Sequence, residues 1–441
     1  MYDASADPRN LDLLKFAQEK LLCVDDIVTG LSSYSSERGC AVLSQRLALD
    51  INSTGYITSG FTKNYAVAEQ AQVQIANHMR VCVAIPEDLV AVYGIASSEP
   101  ILSEAASVIM RDYSNFDLSS ALMNVLDSYA ISPGDRGELL VAAFFTRARD
   151  LHVKQMSRRQ FFPITSRLCP VFSVVDLLSK LFDEGVFRTM LDSPPSVCRM
   201  GISSPEKFGD VFRRTKMHFN HVIKPSQQNV ISRQYLLHIM ARGAAALGAN
   251  CQPGYDMVYP FLFETNSLDI KNVGFVIVQV KNHARSIARN SKFFRKMDPF
   301  DCDLFSKDDS DFTVPIIRIV FSLGGKRPSL KRMQYKSMSG REGASSLEDG
   351  QPRFTSYDFW CSGIAPGLLQ AVDESGARTR WEGMLQKRNL SEGMFLTSKD
   401  PDLRRSEHPG GGSNRGHYDS WLPESEIPPD ESESESQSDE E

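Results

Sequence analysis

The feature that most constrains this chain is a pair of apolar segments within residues 255–282, YDMVYPFLFETNSLDIKNVGFVIVQVKN. Segments 255–263 and 274–282 are rich in valine, phenylalanine and tyrosine, and a polar stretch with turn-forming residues separates them. β-Branched and aromatic residues bounded by turn residues are typical of β-strands. The sequence therefore predicts a β-hairpin at this position.

Three polar residues interrupt the apolar strands of this hairpin: Asp256, Gln279 and Lys281. Burying such groups without partners is costly, so they either satisfy one another or do chemistry. Because strand side chains alternate, Gln279 and Lys281 share one face. In a hairpin symmetric about residues 268–269, Asp256 lies opposite Lys281 and Val258 opposite Gln279. A carboxylate, an amide and an ammonium then cluster at one open end, unless a bulge or slip changes the register.

The rest of the pattern predicts a mainly helical first half and further strands after the hairpin. Apolar residues at three- and four-residue steps predict helices within 11–50, 65–82, 99–130, 132–155, 172–191, 230–247 and, more weakly, 365–390. Apolar runs bounded by turn residues predict strands at 215–225, 312–325 and 354–364. The chain of 441 residues is long enough for one large core or two domains.

Composition excludes several classes of protein. No run of about 18 apolar residues exists, so no transmembrane helix is expected. The first residues lack a basic region followed by an apolar core, so no secretory signal is expected, and an intracellular protein, nuclear or cytoplasmic, is predicted. Nuclear entry depends on the short basic run KRPSLKR, residues 326–332. The eight cysteines form no CxxC pair and no zinc-like spacing.

The end of the chain has a different composition from the rest. From about residue 396 apolar residues become scarce, which predicts a disordered linker and an acidic tail at 396–441. Residues 424–441 hold nine acidic residues and no basic one, and without them the net charge of −6 becomes +3. The mildly basic remainder is compatible with a polyanionic partner.

Glu138 lies near the start of the helix predicted at 132–155, which is apolar on most of its sides. One interpretation is that the carboxylate complements the helix dipole. The other is that it faces the same site as Asp256. Spacing alone does not decide between them.

A basic segment follows the hairpin and places several cations next to its polar cluster. Such a segment can contact phosphate, or it can be a solvated helix face. The residues predicted to bind nucleic acid are Arg285, Arg289, Lys292, Arg295 and Lys296.

The residue types of the hairpin suit metal-dependent cleavage of phosphodiesters. Mg²⁺ is usually held by one or two carboxylates, substrate phosphate oxygens and waters. A nearby lysine orients a water and offsets charge in the transition state. Asp256 provides the carboxylate, Gln279 a neutral oxygen and Lys281 the ammonium.

Asp256 followed by Gln279-Val280-Lys281 on the next strand resembles the PD-(D/E)xK restriction-endonuclease-like superfamily. Four segments are similar to the nuclease-like region of fungal Crinkler and retrotransposon-hot-spot-like proteins: RGELLVAAFFTRARD, ARGAAALGANCQPGYDMVYPFLF, VIVQVKN and YDFWCSGI. The resemblance covers roughly residues 100–365 well and 11–98 more loosely.

The resemblance implies an α/β protein with a helical N-terminal region at 1–98 and a nuclease-like domain at 99–395. That domain would have an αβββαβ core around a central mixed sheet, with residues 156–229 as an insertion. Asp256, Gln279 and Glu138 would be the metal ligands, for Mg²⁺ or Mn²⁺, and Lys281 the catalytic lysine. Gln279 stands where the superfamily usually has an acid, which implies weaker metal binding.

The resulting prediction is an endonuclease that hydrolyses nucleic acid, with DNA favoured over RNA as the substrate. The second possibility is a catalytically weak or inactive module of the same fold that binds nucleic acid or a protein partner. The third possibility is a different enzyme or a scaffold in which D…QxK occurs by chance. Related proteins often carry a P-loop ATPase, whereas this chain has no G-x-x-x-x-G-K-[ST]. The sequence is therefore expected to be either a truncated form of a longer ATPase–nuclease protein or a chain that acts with an ATPase in trans.

Overall fold

The computed structural model describes most of the chain before residue 387. The described residues are 9–27, 35–49, 71–85, 93–113, 115–128, 133–159, 170–199, 205–225, 227–228, 230–249, 252–265, 267–283, 287–306, 313–335, 352–372 and 377–386. Arg285 and the predicted linker and tail at 396–441 lie outside the described residues.

Helices dominate the first part of the described chain, as the apolar periodicity predicts. They are α1 (Arg9–Leu22), α2 (Ser36–Leu47), α3 (Pro100–Asp112), α4 (Leu118–Ser128) and α5 (Pro133–Arg159). The start of α2 is fixed by Ser35, whose hydroxyl accepts a hydrogen bond from the Arg38 amide. The helix predicted over 65–82 ends earlier: residues 71–77 are helical, and strand β1 (Arg80–Ala84) pairs with β2 (Tyr93–Ala96). The valines of β1 favour a strand.

An eight-stranded mixed sheet forms the centre of the molecule. Its strands are β3 (Thr215–Lys216), β4 (His221–Ile223), β5 (Ala244–Leu247), β6 (Met257–Phe263), β7 (Val273–Lys281), β8 (Ile316–Ser322), β9 (Ser329–Arg332) and β10 (Ser356–Ser362). The order is β4-β5-β6-β7-β8-β10-β9, and β3 pairs with β6 beyond the end of β5. Strand β7 is antiparallel to β6 and parallel to β8.

Helices cover both faces of this sheet. On one face Phe145 of α5 stacks on Tyr259 of β6, with ring centroids 4.3 Å apart. On the other face lies α10 (Ser291–Lys296), where the Phe294 carbonyl accepts a hydrogen bond from Arg318 of β8 at 2.6 Å. When the four helices and two strands described between α5 and β5 are left aside, the elements α5, β5, β6, β7, α10 and β8 occur in the order αβββαβ. The predicted fold class, α/β with a helical N-terminal region before a mixed-sheet core, is confirmed.

The remaining helices lie between α5 and β5 and at the end of the described chain. They are α6 (Val174–Leu181), α7 (Glu184–Leu191), α8 (Phe208–Phe212), α9 (Arg233–Ala241) and α11 (Ala377–Gln386). The single helix predicted over 172–191 is two helices, because Phe182 forms a β-bridge with Leu369 and Asp183 caps the second helix. The strand predicted over 215–225 is likewise two short strands, β3 and β4.

The prediction of one helix over 230–247 is wrong in its second half. Gly243, with φ +70°, ends α9 and turns the chain into β5, whose alanines are fully buried between β4 and β6. A Cβ at position 243 would lie 2.7 Å from the Nε2 atom of His218, so this turn requires glycine. Tertiary packing therefore overrides the helical preference of alanine.

One hydrophobic cluster extends from Leu21 to Met384 and joins the N-terminal helices to the sheet. The boundary at residue 98 and the insertion at 156–229 stay predictions, and buried residues on both sides of residue 98 belong to this cluster. No helix among the described residues is long and apolar enough to cross a lipid bilayer.

Candidate active site

The β6–β7 hairpin brings the three polar residues together, although its register differs from the predicted one. Met257 pairs with Val278 and Val258 with Ile277, so Val258 does not face Gln279 and the predicted pairing of Asp256 with Lys281 is not formed. The Asp256 amide donates to the Val278 carbonyl at 2.8 Å, one residue out of step with these pairs, so the ladder is irregular where Asp256 enters it. The predicted pairing is therefore wrong by two residues. Gln279 and Lys281 share one face of β7, and the Asp256 carboxylate lies close to them: it accepts a hydrogen bond from the Val280 amide, and the charge of Lys281 lowers its pKa.

The same row of side chains continues across the parallel strands. Lys281 pairs with Ser322 at the end of β8, and Gln279 pairs with Val320. Directly opposite residues in a sheet have side chains on the same side. The site therefore lies where β7 and β8 end, on the face that α10 covers. Sequence patterns gave no indication of Ser322, because its pairing with Lys281 depends on a crossover connection of 34 residues between β7 and β8.

Gln279 is buried with an unsatisfied acceptor. The residue is only 7% exposed, and its Oε1 atom has no hydrogen-bond partner among the described residues. An unpaired buried amide oxygen costs about 1–3 kcal/mol. Such a cost is expected where the oxygen serves a ligand that is bound only part of the time.

Asp256 is held in place from its own hairpin. One carboxylate oxygen accepts a hydrogen bond from the Val280 amide across the strands, which fixes the side chain. Burial raises the pKa of this carboxyl, and the charge of Lys281 together with the Val280 hydrogen bond lowers it by a smaller amount. The carboxyl is thus easier to protonate than an ordinary aspartate, and a cation at this site would compete with the proton.

The raised pKa of Asp256 gives a prediction for stability against pH. The folded state disfavours the carboxylate, so the free energy of unfolding should fall as the pH rises through this pKa. Asp256→Asn removes the buried charge and should raise the melting temperature in EDTA by about 2 °C at neutral pH, for roughly 1 kcal/mol in a chain of this size. Thermal unfolding of both proteins from acid to neutral pH measures this.

The gain from Asp256→Asn should disappear as the pH falls and the wild-type carboxyl becomes protonated. A second measurement in the same series adds Mg²⁺, which should stabilise the wild type and leave Asp256→Asn unchanged. A variant that is less stable than the wild type at every pH would show that Asp256 is a structural residue.

The first turns of α5 reach the carboxyl end of β7. A Cβ built on Gly137 would lie 2.8 Å from Cβ of Asn282 and 3.2 Å from a methyl carbon of Val280. Gly137 thus allows the helix to approach the strand from the face opposite to the Lys281 side chain. The neighbouring residue, Glu138, is half-buried in this turn. Lys281 is the charged group that shifts the pKa of Asp256, and Glu138 is not among the causes of that shift. The role of Glu138 as a metal ligand therefore stays a prediction.

Helix α10 places a basic surface over the site. Phe293 lies under the Lys281 ammonium, 5.7 Å from the nitrogen to the ring centroid, and its ring also contacts Trp360 of β10 at 5.7 Å. The cations predicted to bind nucleic acid are exposed on this helix or just before it: Arg289, Lys292, Arg295 and Lys296. The helix is shorter than the basic segment that was predicted to form it.

A buried ion pair anchors α10 to the sheet. Arg318 makes a two-pronged contact with Asp358 of β10, at 2.8 and 2.6 Å, and donates to the Phe294 carbonyl of α10. Tyr335 donates a third hydrogen bond to Asp358 at 2.7 Å. This pair was not predictable from the sequence, since its members are 40 residues apart and no local pattern connects them. Its position under α10 shows that it supports the site rather than forming it.

The residues present fit a cation held by few protein ligands. In the described part of the chain no three His, Cys, Asp or Glu side chains converge on one point. The site instead offers the Asp256 carboxylate and the orphaned Gln279 oxygen. Two protein oxygens suit Mg²⁺, which commonly keeps waters and substrate phosphate oxygens for its remaining positions.

Comparison with known proteins adds no assignment. No protein-family model, curated protein or solved structure matches this chain. The functional argument therefore depends on the site itself.

Proposed function

We propose that this chain is a Mg²⁺-dependent phosphodiesterase that cleaves nucleic acid, with DNA as its first substrate, and that it belongs to the PD-(D/E)xK superfamily. The observation that carries this proposal is the buried oxygen of Gln279, which has no partner among the described residues and lies on the same strand face as Lys281, in the hairpin that also holds the Asp256 carboxylate. The strand order and the αβββαβ succession of elements support it.

Each residue has a distinct task in this proposal. Asp256 and Gln279 would hold the metal, and the Val280 amide keeps Asp256 in the required rotamer. When bound, Mg²⁺ polarises the phosphate and lowers the pKa of a coordinated water. Lys281 would face the scissile phosphate, orient the attacking water and offset the negative charge that develops in the transition state. The aromatic ring of Phe293 holds the lysine side chain in this position.

The basic surface around α10 would bind the sugar–phosphate backbone. Arg289, Lys292, Arg295 and Lys296 are exposed on the side of the sheet that carries the site. Contacts of this kind are independent of sequence and weaken steeply with salt. They favour a nuclease with broad specificity. An ATPase acting in trans and nuclear entry through residues 326–332 stay predictions.

A second candidate is a binding module with little or no catalytic activity. The observation that favours it is the single carboxylate among the ligands that the structure brings together, since Gln279 provides a neutral oxygen. A weaker metal site leaves the basic surface intact. Such a protein would bind nucleic acid with the same salt dependence and would not cut it.

Cleavage assays separate the two candidates. The purified full chain is incubated with supercoiled plasmid, single-stranded DNA and RNA in Mg²⁺, Mn²⁺ or EDTA. We expect cleavage in Mg²⁺ or Mn²⁺ and none in EDTA, because metal-bound water is the expected nucleophile. Asp256→Asn, which retains the shape of the side chain and removes its charge, serves as the matched control.

The pattern of outcomes is decisive. Equal cleavage by the wild type and Asp256→Asn would assign the activity to a contaminant or to another site. Salt-dependent binding without cleavage in either metal would favour the binding module. If the chain neither binds nor cleaves nucleic acid, both candidates are rejected.

A further inference from the structure

Cationic side chains form a continuous face on the site side of the sheet, which we call the basic face. Its members are Lys281 of β7, Lys292, Arg295 and Lys296 of α10, and Lys331 of β9. Lys331 belongs to it because Gln279, Val320, Trp360 and Lys331 pair in turn across four neighbouring strands and so point to the same side.

The positive charge of the basic face is not neutralised within the described chain. None of its five cations forms an ion pair there, and four of them are exposed. Cations elsewhere on the surface behave differently. Lys207 pairs with Asp192 at 2.9 Å, and Arg214 pairs with both Glu206 and Glu264. The basic face is therefore suited to a polyanion that comes from outside the folded core.

The chain itself contains a polyanion of this kind. Residues 424–441 carry nine acidic side chains and no basic one. They are tethered to α11, whose Trp381 packs on Phe144 of α5 and therefore lies on the opposite side of the sheet. The 37 residues from 387 to 423 can span at most about 120 Å, whereas a compact domain of this size is on the order of 55 Å across. The tether is long enough to reach the basic face.

We propose that the acidic tail, residues 424–441, binds the basic face and competes with nucleic acid for it. The proposal deepens the proposed function and relies on it, since the competition concerns the same surface. Charge complementarity is the argument for this occupant: nine carboxylates on a chain segment resemble the regularly spaced charges of a nucleic acid strand. Nucleic acid therefore has to displace the tail, and only a polyanion that binds the basic face more strongly than the tail does so.

Tethering makes a weak contact effective. A link of this length gives an effective tail concentration of about 1 mM. If the free tail segment binds with a dissociation constant of about 0.1 mM, nucleic acid binding is weakened roughly tenfold by competition. The effect should disappear in high salt, because both contacts are electrostatic.

The first test compares the full chain with a variant in which all nine tail acids are replaced by Asn or Gln. Binding of a fluorescein-labelled DNA duplex of about 20 base pairs is followed by anisotropy in EDTA, at about 50 and 300 mM NaCl. We expect the dissociation constant to fall about tenfold at low salt, with a difference under about twofold at high salt. A full-length variant with the same tail residues in permuted order is the control, and it should match the wild type.

The second test detects the contact without nucleic acid. A labelled peptide of residues 424–441 should bind the tail-neutralised full chain, and Lys292→Gln, Arg295→Gln and Lys331→Gln together should abolish that binding. These three side chains are exposed and form no ion pairs in the described chain, so the fold should survive. Melting temperature checks that it does.

The two tests fail in distinguishable ways. Equal DNA affinity of the wild type and the tail-neutralised variant would overturn the tail proposal and leave the nucleic-acid function standing. Peptide binding to the basic face without any DNA binding would support the contact and reject the function. A tail effect that survives the triple replacement would place the contact elsewhere and overturn the proposal. A tail effect on DNA affinity that grows with protein concentration would also overturn the proposal, because the tail would then act between two copies of the chain.

Discussion

Asp150→Ala is expected to destabilise the folded chain by about 3–5 kcal/mol, because it leaves a buried cation without its partner. Asp150 of α5 accepts hydrogen bonds from Arg46 of α2 at 2.6 and 3.1 Å and from Arg149 at 3.0 Å. The Arg46 side chain is completely buried. Glu104 of α3 balances Arg149 at 3.1 Å, so two arginines and two carboxylates join three helices inside the core.

The pKa of Asp150 indicates how the pair responds to acid. Burial alone would raise it, but Arg46 and Arg149 outweigh burial and hold the pKa below its usual value. The stabilisation is therefore present above the ordinary aspartate pKa and is lost as the pH falls through the lowered one. The difference between the wild type and Asp150→Ala should narrow over that acidic range.

Urea unfolding followed by circular dichroism measures the loss, and Asp112→Ala is the matched control. Asp112 also pairs with an arginine, Arg111 at 2.8 Å, but its side chain is 41% exposed, so its loss should cost at most about 1 kcal/mol. If Asp150→Ala is too unstable to purify, the double variant Arg46→Met with Asp150→Leu removes both charges and should recover much of the stability. A loss under about 1 kcal/mol in Asp150→Ala would contradict the prediction.

This network also shows what a single sequence cannot reveal. Arg46 and Asp150 are 104 residues apart, and each lies in an ordinary helical pattern. A charge within an apolar periodicity looks like a surface position until a partner from another element is known. The Arg318–Asp358 pair under α10 was missed for the same reason.

The hairpin was predictable because its signal is local. Alternating apolar residues located both strands within two residues and put Gln279 and Lys281 on one face of β7. The register was wrong because the connection is asymmetric: Glu264 has φ +55° and residues 270–272 form a short 3₁₀ helix before β7. Turn geometry of this kind sets the pairing and was not evident from composition.

Lys281→Met is expected to slow cleavage at least about 100-fold while the metal ligands and the fold remain. Methionine keeps most of the length and apolar contact of the lysine stem on Phe293, which lies 5.7 Å from the ammonium. What is lost is the charge that faces the scissile phosphate. Single-turnover cleavage with excess protein separates this loss from weaker binding.

A pH profile gives a second, independent readout for Lys281. Its positive charge lowers the pKa of Asp256, which burial raises, so removing it should raise that pKa further. The acid limb of any remaining activity should therefore move to higher pH, since the metal site requires the carboxylate. A lysine with a purely structural role would leave the limb where it is.

Lys271→Met is the matched control for Lys281→Met. Lys271 lies at the far end of the same hairpin, in the 3₁₀ turn before β7, and its side chain is exposed. The Lys271→Met variant should cleave at the wild-type rate, because Lys271 is remote from the carboxyl end of β7. Lys281→Arg restores the charge with a planar, wider head, so it should recover binding better than rate. If Lys281→Met and Lys271→Met cleave equally fast, Lys281 takes no part in the reaction, and the site assigned to this hairpin has to be abandoned.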